Sequence, residues 1–395
     1  MNIIFVSAIL PYPLHSGGQV RIYNLLKKLS SGHAISLLSF IRNQNELQYL
    51  KHLTFFSSVD TVLRGRVWQA RYFIKSAMGM NPLLYSSYEN REMKSKITEI
   101  LRRGKTDLIH IEPSYVWPSL PVTSKPVVVA EHNIEYKVYK QFADAYPVLP
   151  IRVLLKYDVA KHKLAERHVW ERASHITAVS EDDASRIRKH VNTPVTVIPN
   201  GVDLEYFNFR QKTGIPSDPL CLFVGTFAWV QNQDALEYLC DKVWPVINTK
   251  IPKAKLRIVG RQLPKSTIQK LHQIKAEVNE NAEDIRTEYS KADFLIAPIR
   301  VGGGTKYKIL ESMASGLPVI TTHKGAEGLP LQHDAHVLLA DTPDEFAQSM
   351  LRLMKSPDLV HTITSGARKI VSERFSWETI ATQLETVWKT YETKN

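Results

Sequence analysis

The stretch APIRVGGGTKYKILESMASGLPVITTHKGAEGL, Ala297 to Leu329, decides the fold. An apolar run at 295–298 leads into three glycines, Gly302, Gly303 and Gly304. A helix-compatible segment follows over 305–314, then Gly316-Leu317-Pro318 and a second apolar run at 319–322. Strand, glycine loop, helix and strand form the repeating unit of a parallel α/β sheet. Glycines before a helix let backbone N–H groups approach a ligand, and the helix dipole favours negative charge there. Lys306 and Lys308 fall in the first turn, where positive charge is unfavourable by itself, so an anion such as a diphosphate is expected to complete the site. Glu311, about two turns further in, suits hydrogen bonds from two vicinal ribose hydroxyls. A single helix glutamate is ordinarily a solvated surface residue; its place beside the glycines and lysines outweighs that reading.

The same alternation of short β-rich runs and longer amphipathic segments covers the chain. In the first half the strands are expected at 2–10, 34–40, 108–111, 126–130, 175–179 and 195–198, with helices at 20–30, 90–103 and 151–173. The last of these carries Val153, Leu154, Tyr157, Ala160, Leu164, His168 and Trp170–Ala173 at near-helical spacing, with Lys and Arg between them. The segment 199–219, PNGVDLEYFNFRQKTGIPSDP, is rich in turn formers and reads as a linker. A second series follows, with strands at 220–225, 255–259, 294–297, 318–321 and 336–339. Its helices are expected at 234–250, 306–314, 343–355, 359–371 and 376–391. The domains are therefore expected at 1–200 and 220–375, with residues 376–395 a helix returning to the first domain. Such sheets bind ligands at the carboxyl ends of their strands, so a cleft between the two is the default site.

Two other clusters lie at strand ends. LPYPLHSGGQVR places Gly17 and Gly18 between the first strand and the first helix, suited to an anion or a sugar hydroxyl, with Arg21 one turn on. A plain turn into a helix is the alternative. PVVVA at 126–130 delivers Glu131, His132 and Asn133 at its end, where His132 can serve a sugar hydroxyl or the charge developing on a leaving phosphate. A capping histidine is the other reading.

Composition bounds the remainder. The chain has 395 residues, 44% of them apolar, and a net charge of +12. Residues 1–200 hold a balance of +11, against +1 for the other half. This favours an anionic partner for the first half: a phosphate-bearing acceptor, an anionic membrane or a nucleic acid. Nucleic acid ranks last for want of a motif. Cys221 and Cys240 alone make a disulfide framework unlikely to be the organising device and fit a reducing cytoplasm. MNIIFVSAIL lacks a basic leader and reads as a buried strand, and no apolar run reaches the roughly 20 residues that span a bilayer. RGRVWQARY, 64–72, resembles an interfacial segment, with a buried connecting helix as the alternative.

The motifs GGGTKYKILESMASGLPV…GAEGL, VGTFAW, IVGR, PNGVDLEYF, EHN and ITAVSEDDASRI together resemble the GT-B glycosyltransferases of family 4, in a polysaccharide-biosynthesis subgroup, over nearly the whole chain. The resemblance implies two Rossmann-like domains facing across a cleft. It also implies retaining, metal-independent transfer of a hexose from a UDP- or GDP-sugar to a glycan or lipid-linked acceptor, with no cofactor. By the same resemblance Gly17, Gly18, Gly225 and Thr226 line the donor, His132 contacts the sugar, Glu311 holds the ribose, and Arg21 and Asn133 face the acceptor. Two departures stand out. Gly303 occupies the place of a usual glutamate, and Thr226 and Gln231 replace a usual Arg and Lys. Lys306 and Arg261 are expected to carry the diphosphate charge instead, and the amides of Gly303, Gly304 and Thr305 part of the sugar contact. The departures keep two alternatives open: a nucleotide-sugar-binding protein without transfer activity, and a nucleotide-sugar epimerase. The expected location is cytoplasmic, at the inner face of a membrane.

Overall fold

A computed structural model describes residues 1–67, 69–280, 282–302 and 306–392, with Ser266 described by its backbone alone. The chain forms two compact units. One comprises Met1–Pro199 with Ile380–Asn395, the other Asn200–Thr379.

The first unit holds a seven-stranded parallel sheet: β1 (Asn2–Ser7), β2 (Ala34–Ile41), β3 (Ser58–Leu63), β4 (Leu108–Glu112), β5 (Val127–Glu131), β6 (His175–Ala178) and β7 (Val195–Val197). Their spatial order is 3-2-1-4-5-6-7, so the strand order reverses between β1 and β4. The second unit has β8 (Leu220–Thr226), β9 (Lys255–Arg261), β10 (Glu277–Asn279), β11 (Phe294–Ala297), β12 (Val319–Thr321) and β13 (Leu338–Leu339). They are ordered 10-9-8-11-12-13, again parallel, with the reversal between β8 and β11. Central strands such as IIFVS and FLIA are buried on both faces, as helix-covered parallel strands must be. In such sheets ligands bind beyond the carboxyl ends of the strands, where strand order reverses.

Three differences from the sequence reading have local causes. β3 and β10 were not expected: SVDTVL and EVN are short edge strands with polar, half-exposed residues, so neither shows an apolar run. The single helix expected over 234–250 is three pieces, Val230–Tyr238, a π turn Leu239–Val243, and Trp244–Lys250. Pro245 lacks an N–H and its ring would crowd the carbonyl one turn back, and the π turn accommodates it. The helix Leu149–Arg172 turns the first part of its periodic stripe outward and only the end, at Trp170, inward. Val153 is 59%, Leu154 67%, Tyr157 65% and Leu164 65% exposed, while His162, Glu166, Val169 and Trp170 face the core.

The helix Trp377–Lys389 ends against the first sheet: Trp388 Nε1 donates to His110 Nδ1 at 3.0 Å, and Tyr391 Oη donates to the Ser174 carbonyl at 2.7 Å. In the second unit Val202 pairs in parallel with Ser376. Gly201 is required there, because a Cβ would lie 2.7 Å from the Trp377 ring. Among the described residues no helix is long and apolar enough to cross a membrane.

Candidate active site

In the first unit the reversal point gathers one connected cluster. Ser16 caps the helix Gly17–Leu29, accepting from Gln19 N. Gly18 is small for a reason: a Cβ there would lie 3.2 Å from His132 Cε1 and 3.4 Å from Nδ1. His132 follows β5 and remains partly exposed, and its Nε2 bonds Glu112 Oε1 at the end of β4. Arg21, only 2% exposed, donates Nε to the same Glu112 oxygen at 3.2 Å and a terminal N–H to the Pro199 carbonyl at 2.7 Å. The acceptor contact expected of Arg21 is thus replaced by an internal one: it holds Glu112, which holds His132.

The far oxygen of Glu112 lies 3.5 Å from His110 Nε2. Burial keeps His110 neutral by pushing its pKa down. Because Trp388 donates to Nδ1, the His110 proton sits on Nε2, toward Glu112. Burial also pushes the Glu112 carboxyl up, but His132, His110 and Arg21 together more than reverse this and hold it well below the usual carboxylate range. Glu112 is therefore a fixed anion that orients the His132 imidazole. The neighbouring strand-end residues divide by alternation. Glu131 turns inward, accepts from Trp170 Nε1 at 2.7 Å and is pushed by burial to about 8. Asn133 stays half-buried beside Glu135. Glu112 and His110 escaped the sequence reading; polar residues alternating through an otherwise apolar LIHIE strand were the available signal.

The second unit builds the other cluster where β8 and β11 part. Thr226 ends β8 and its carbonyl accepts Asn232 Nδ2 at 2.9 Å. Asn232 Oδ1 accepts from Lys308 Nζ at 2.8 Å. A Cβ on Gly225 would lie 3.1 Å from Asn232 Cγ, so Asn232 packs directly on the strand end. Lys308 also sits over the Phe223 ring, 4.4 Å from its centre. Burial, then the charge of Lys306, lowers its ammonium to about 7 against the opposing pull of Glu311. Lys306 is 9% exposed and immediately precedes the helix Tyr307–Ser315. Glu311 accepts from Tyr289 Oη at 2.7 Å, and burial raises its pKa.

Gly302 has φ +96°, and a Cβ there would meet Gln231 at 3.0 Å, so only glycine fits. Gly303, Gly304 and Thr305 lie outside the described residues. Arg261 ends β9, in register with Thr226, and is exposed. Arg300 is paired with Asp234 at 2.7 Å. Asn232 and Lys308's burial were invisible in sequence, since both depend on how the helix Val230–Tyr238 lies over β8.

Lys306 and Lys308, buried at the start of this helix with Asn232 fixing one of them, form a basic cradle suited to an anion. The family model described as "Glycosyl transferases group 1" matches residues 218–356, which include this cradle, and that described as "Glycosyltransferase Family 4" matches residues 15–206. The protein is a GT-B glycosyltransferase. An uncharacterised 44.6 kDa protein from the cps region of Klebsiella pneumoniae is 24% identical over 95% of this chain and 96% of its own. Among solved structures, sucrose-phosphate synthase from Thermosynechococcus elongatus superposes with a TM-score of 0.72 at 16% identity, covering 99% of each chain. Anabaena HepE in complex with UDP and glucose gives 0.67 at 15% identity, covering 99% of this chain and 100% of its own. These likenesses establish the GT-B fold of the glycosyltransferase on two parallel-sheet Rossmann-like units.

Proposed function

We propose that this glycosyltransferase is a retaining family 4 enzyme of surface polysaccharide or glycoconjugate synthesis, moving a hexose from a UDP- or GDP-sugar to a glycan or lipid-linked acceptor at the cytoplasmic membrane face. The observation that carries the donor assignment is the pair Lys306 and Lys308 buried at a helix start. The dipole of that helix favours an anion at the same end. The Klebsiella relative's cps region and the UDP in the HepE structure are consistent in kind with this reading.

In the proposed reaction Lys306 and Arg261 take the charge of the donor diphosphate without a metal ion. The anomeric carbon–oxygen bond to phosphate breaks while the acceptor oxygen forms its bond from the same face, and the acceptor proton passes to the departing diphosphate. His132, held by Glu112, contacts the sugar, Gly17 and Gly18 leave room for it, and Asn133 faces the acceptor. Arg21 is a positioning residue. A thermal-shift panel of UDP-, GDP-, ADP- and dTDP-sugars tests the donor, because the true one stabilises by mass action. No stabilisation by any of the four removes the reading.

Two further outcomes are expected here. Glu311→Ala weakens UDP or GDP binding by about tenfold or more, the loss of a charged hydrogen bond; unchanged calorimetric affinity removes the ribose contact. The low ammonium pKa of Lys308 gives donor binding a pH dependence. With its pKa at about 7, free Lys308 is largely neutral at pH 8, and a bound diphosphate favours its charged form. Binding therefore takes up a proton, and affinity falls as pH rises from 7 toward 9. Calorimetry at pH 8 in buffers of different ionisation enthalpy reads that proton, and Lys308→Met abolishes its uptake.

A further inference from the structure

Thirteen of the twenty-one large apolar side chains exposed among the described residues fall within 73–80 and 138–164. Scattered exposed apolar residues need no explanation, but concentration in two adjoining segments does. On the helix Leu149–Arg172, Val153, Tyr157, Ala160 and Leu164 recur at i, i+4, i+7 and i+11, the spacing of a buried stripe, yet all are exposed. The core is filled from the opposite side of that helix by His162, Glu166, Val169 and Trp170. The helix thus packs a mixed polar and apolar face into the core and leaves its apolar stripe outside.

The helix Ala70–Met78 lies alongside. Lys161 Nζ donates to the Gly79 carbonyl at 2.9 Å, and Asp158 accepts from Leu83 N at 2.9 Å. It and the turn after it add Ile74, Met78 and Met80, exposed at 58%, 85% and 88%. Arg64 and Tyr72 of the RGRVWQARY segment point inward instead, with Tyr72 Oη donating to the Arg64 carbonyl. The apolar surface therefore begins beyond that segment.

We infer that this surface, centred on Val153, Leu154, Tyr157 and Leu164 with Ile74 and Met78, docks the enzyme on an anionic phospholipid bilayer. Charge decides the occupant. Exposed Lys163, with Lys156 paired to Asp144 and Arg167 paired to Glu171, flanks the stripe; Arg71 and Lys75, the latter paired to Glu89, lie on the second helix, and no acidic residue occurs between Asp60 and Glu89. Lysines are depleted at protein–protein interfaces, whereas apolar side chains edged by Lys and Arg suit the boundary between acyl chains and anionic headgroups. Long basic side chains reach outward to phosphates while their stems cover apolar neighbours. The balance of +11 in residues 1–200 acts in the same sense.

The inference rests on the reading above that the acceptor is presented at a membrane, and its test needs no turnover. The full chain is sedimented with phosphatidylcholine vesicles and with the same vesicles doped with phosphatidylglycerol, at low and high salt. Binding is expected only with phosphatidylglycerol, to be reversed by salt, and to fall at least about tenfold for Leu154→Glu combined with Leu164→Glu. Both positions are exposed, and an unchanged melting temperature and donor-induced shift confirm that the variant is folded. Lys156→Gln with Lys163→Gln weakens binding while leaving the apolar stripe intact. Failure of the wild type to bind doped vesicles overturns the inference, as does equal binding by the Glu variant. It is also overturned if light scattering shows a dimer that the Glu substitutions dissociate while vesicles are ignored. Vesicle binding without stabilisation by any nucleotide-sugar would instead sink the transfer reading alone.

Discussion

Lys306→Ala lowers turnover by about 10²–10³-fold, the usual effect of removing one preorganised charge from a group whose negative charge develops in the transition state. The expectation follows from position. Lys306 is 9% exposed, directly before the helix Tyr307–Ser315, and its charge already depresses the neighbouring Lys308 ammonium. A bound diphosphate relieves that repulsion and grows more negative as the sugar leaves, so the loss falls on kcat more than on KM. Lys306→Arg retains charge without the ammonium's compact geometry and recovers part of the rate. Steady-state kinetics on the proposed donor check this. A variant with normal kcat and normal donor affinity would remove Lys306 from the reaction.

Glu112→Gln destabilises the protein by about 3–5 kcal/mol, because it removes the buried carboxylate that accepts from Arg21 and bonds His132. The sign with pH is distinctive. The Glu112 carboxyl titrates lower in the folded chain than its ordinary value of 4.5. Its contribution is present above that value and is lost as pH falls below it, where the unfolded chain takes up a proton that the folded chain refuses. Urea unfolding at pH 7 therefore shows the full loss in Glu112→Gln. Between pH 4.5 and lower pH the wild type loses stability more steeply than the variant. Glu131 acts in the opposite direction. Raised to about 8, it withdraws stability as pH climbs from 4.5 to 8 in both proteins. A second effect of Glu112→Gln concerns activity. With the carboxylate gone, the bond that holds the His132 ring beside Gly18 is weakened, and a displacement of order 1 Å costs about 10²-fold in turnover. A variant with wild-type stability and an unchanged acid limb would show that the Arg21–Glu112–His132 connection carries little energy.

The two predictions concern residues that were unequally visible. Lys306 stands in a glycine-loop-to-helix pattern whose spacing is local, so chain order alone places it at a strand end. Glu112 lies 91 residues from Arg21 and 20 from His132. Only the strand order 2-1-4-5 brings β4 beside both β1 and β5 and sets that carboxylate between them. His110 and Trp388 are still further apart in the chain, separated by 278 residues. Pairings at such separations leave no periodic trace in sequence, because they are fixed by sheet topology and by a C-terminal helix that returns to the first unit. Asn232 belongs with them: its amide bridges Thr226 and Lys308 only because the helix after β8 starts where it does.

What the amino-acid sequence determined by itself was the alternation of strand and helix, the division into two α/β series, and the placement of Gly18 and Lys306 at helix starts, His132 after a strand and Glu311 within a helix. Those follow from short-range physics: apolar runs that must be covered on both faces, glycines where backbone must approach closely, and helix starts that attract anions. Tertiary structure alone decided which polar groups are shared. It turned Arg21 from an acceptor contact into the support of Glu112, lowered the Lys308 ammonium by burial, and left the apolar stripe of the helix Leu149–Arg172 on the surface. The helical period was legible there, but its phase was not. A stripe of leucines and valines reads identically whether it faces a protein core or a second apolar medium, and only the packing of its neighbours settles which side remains outside.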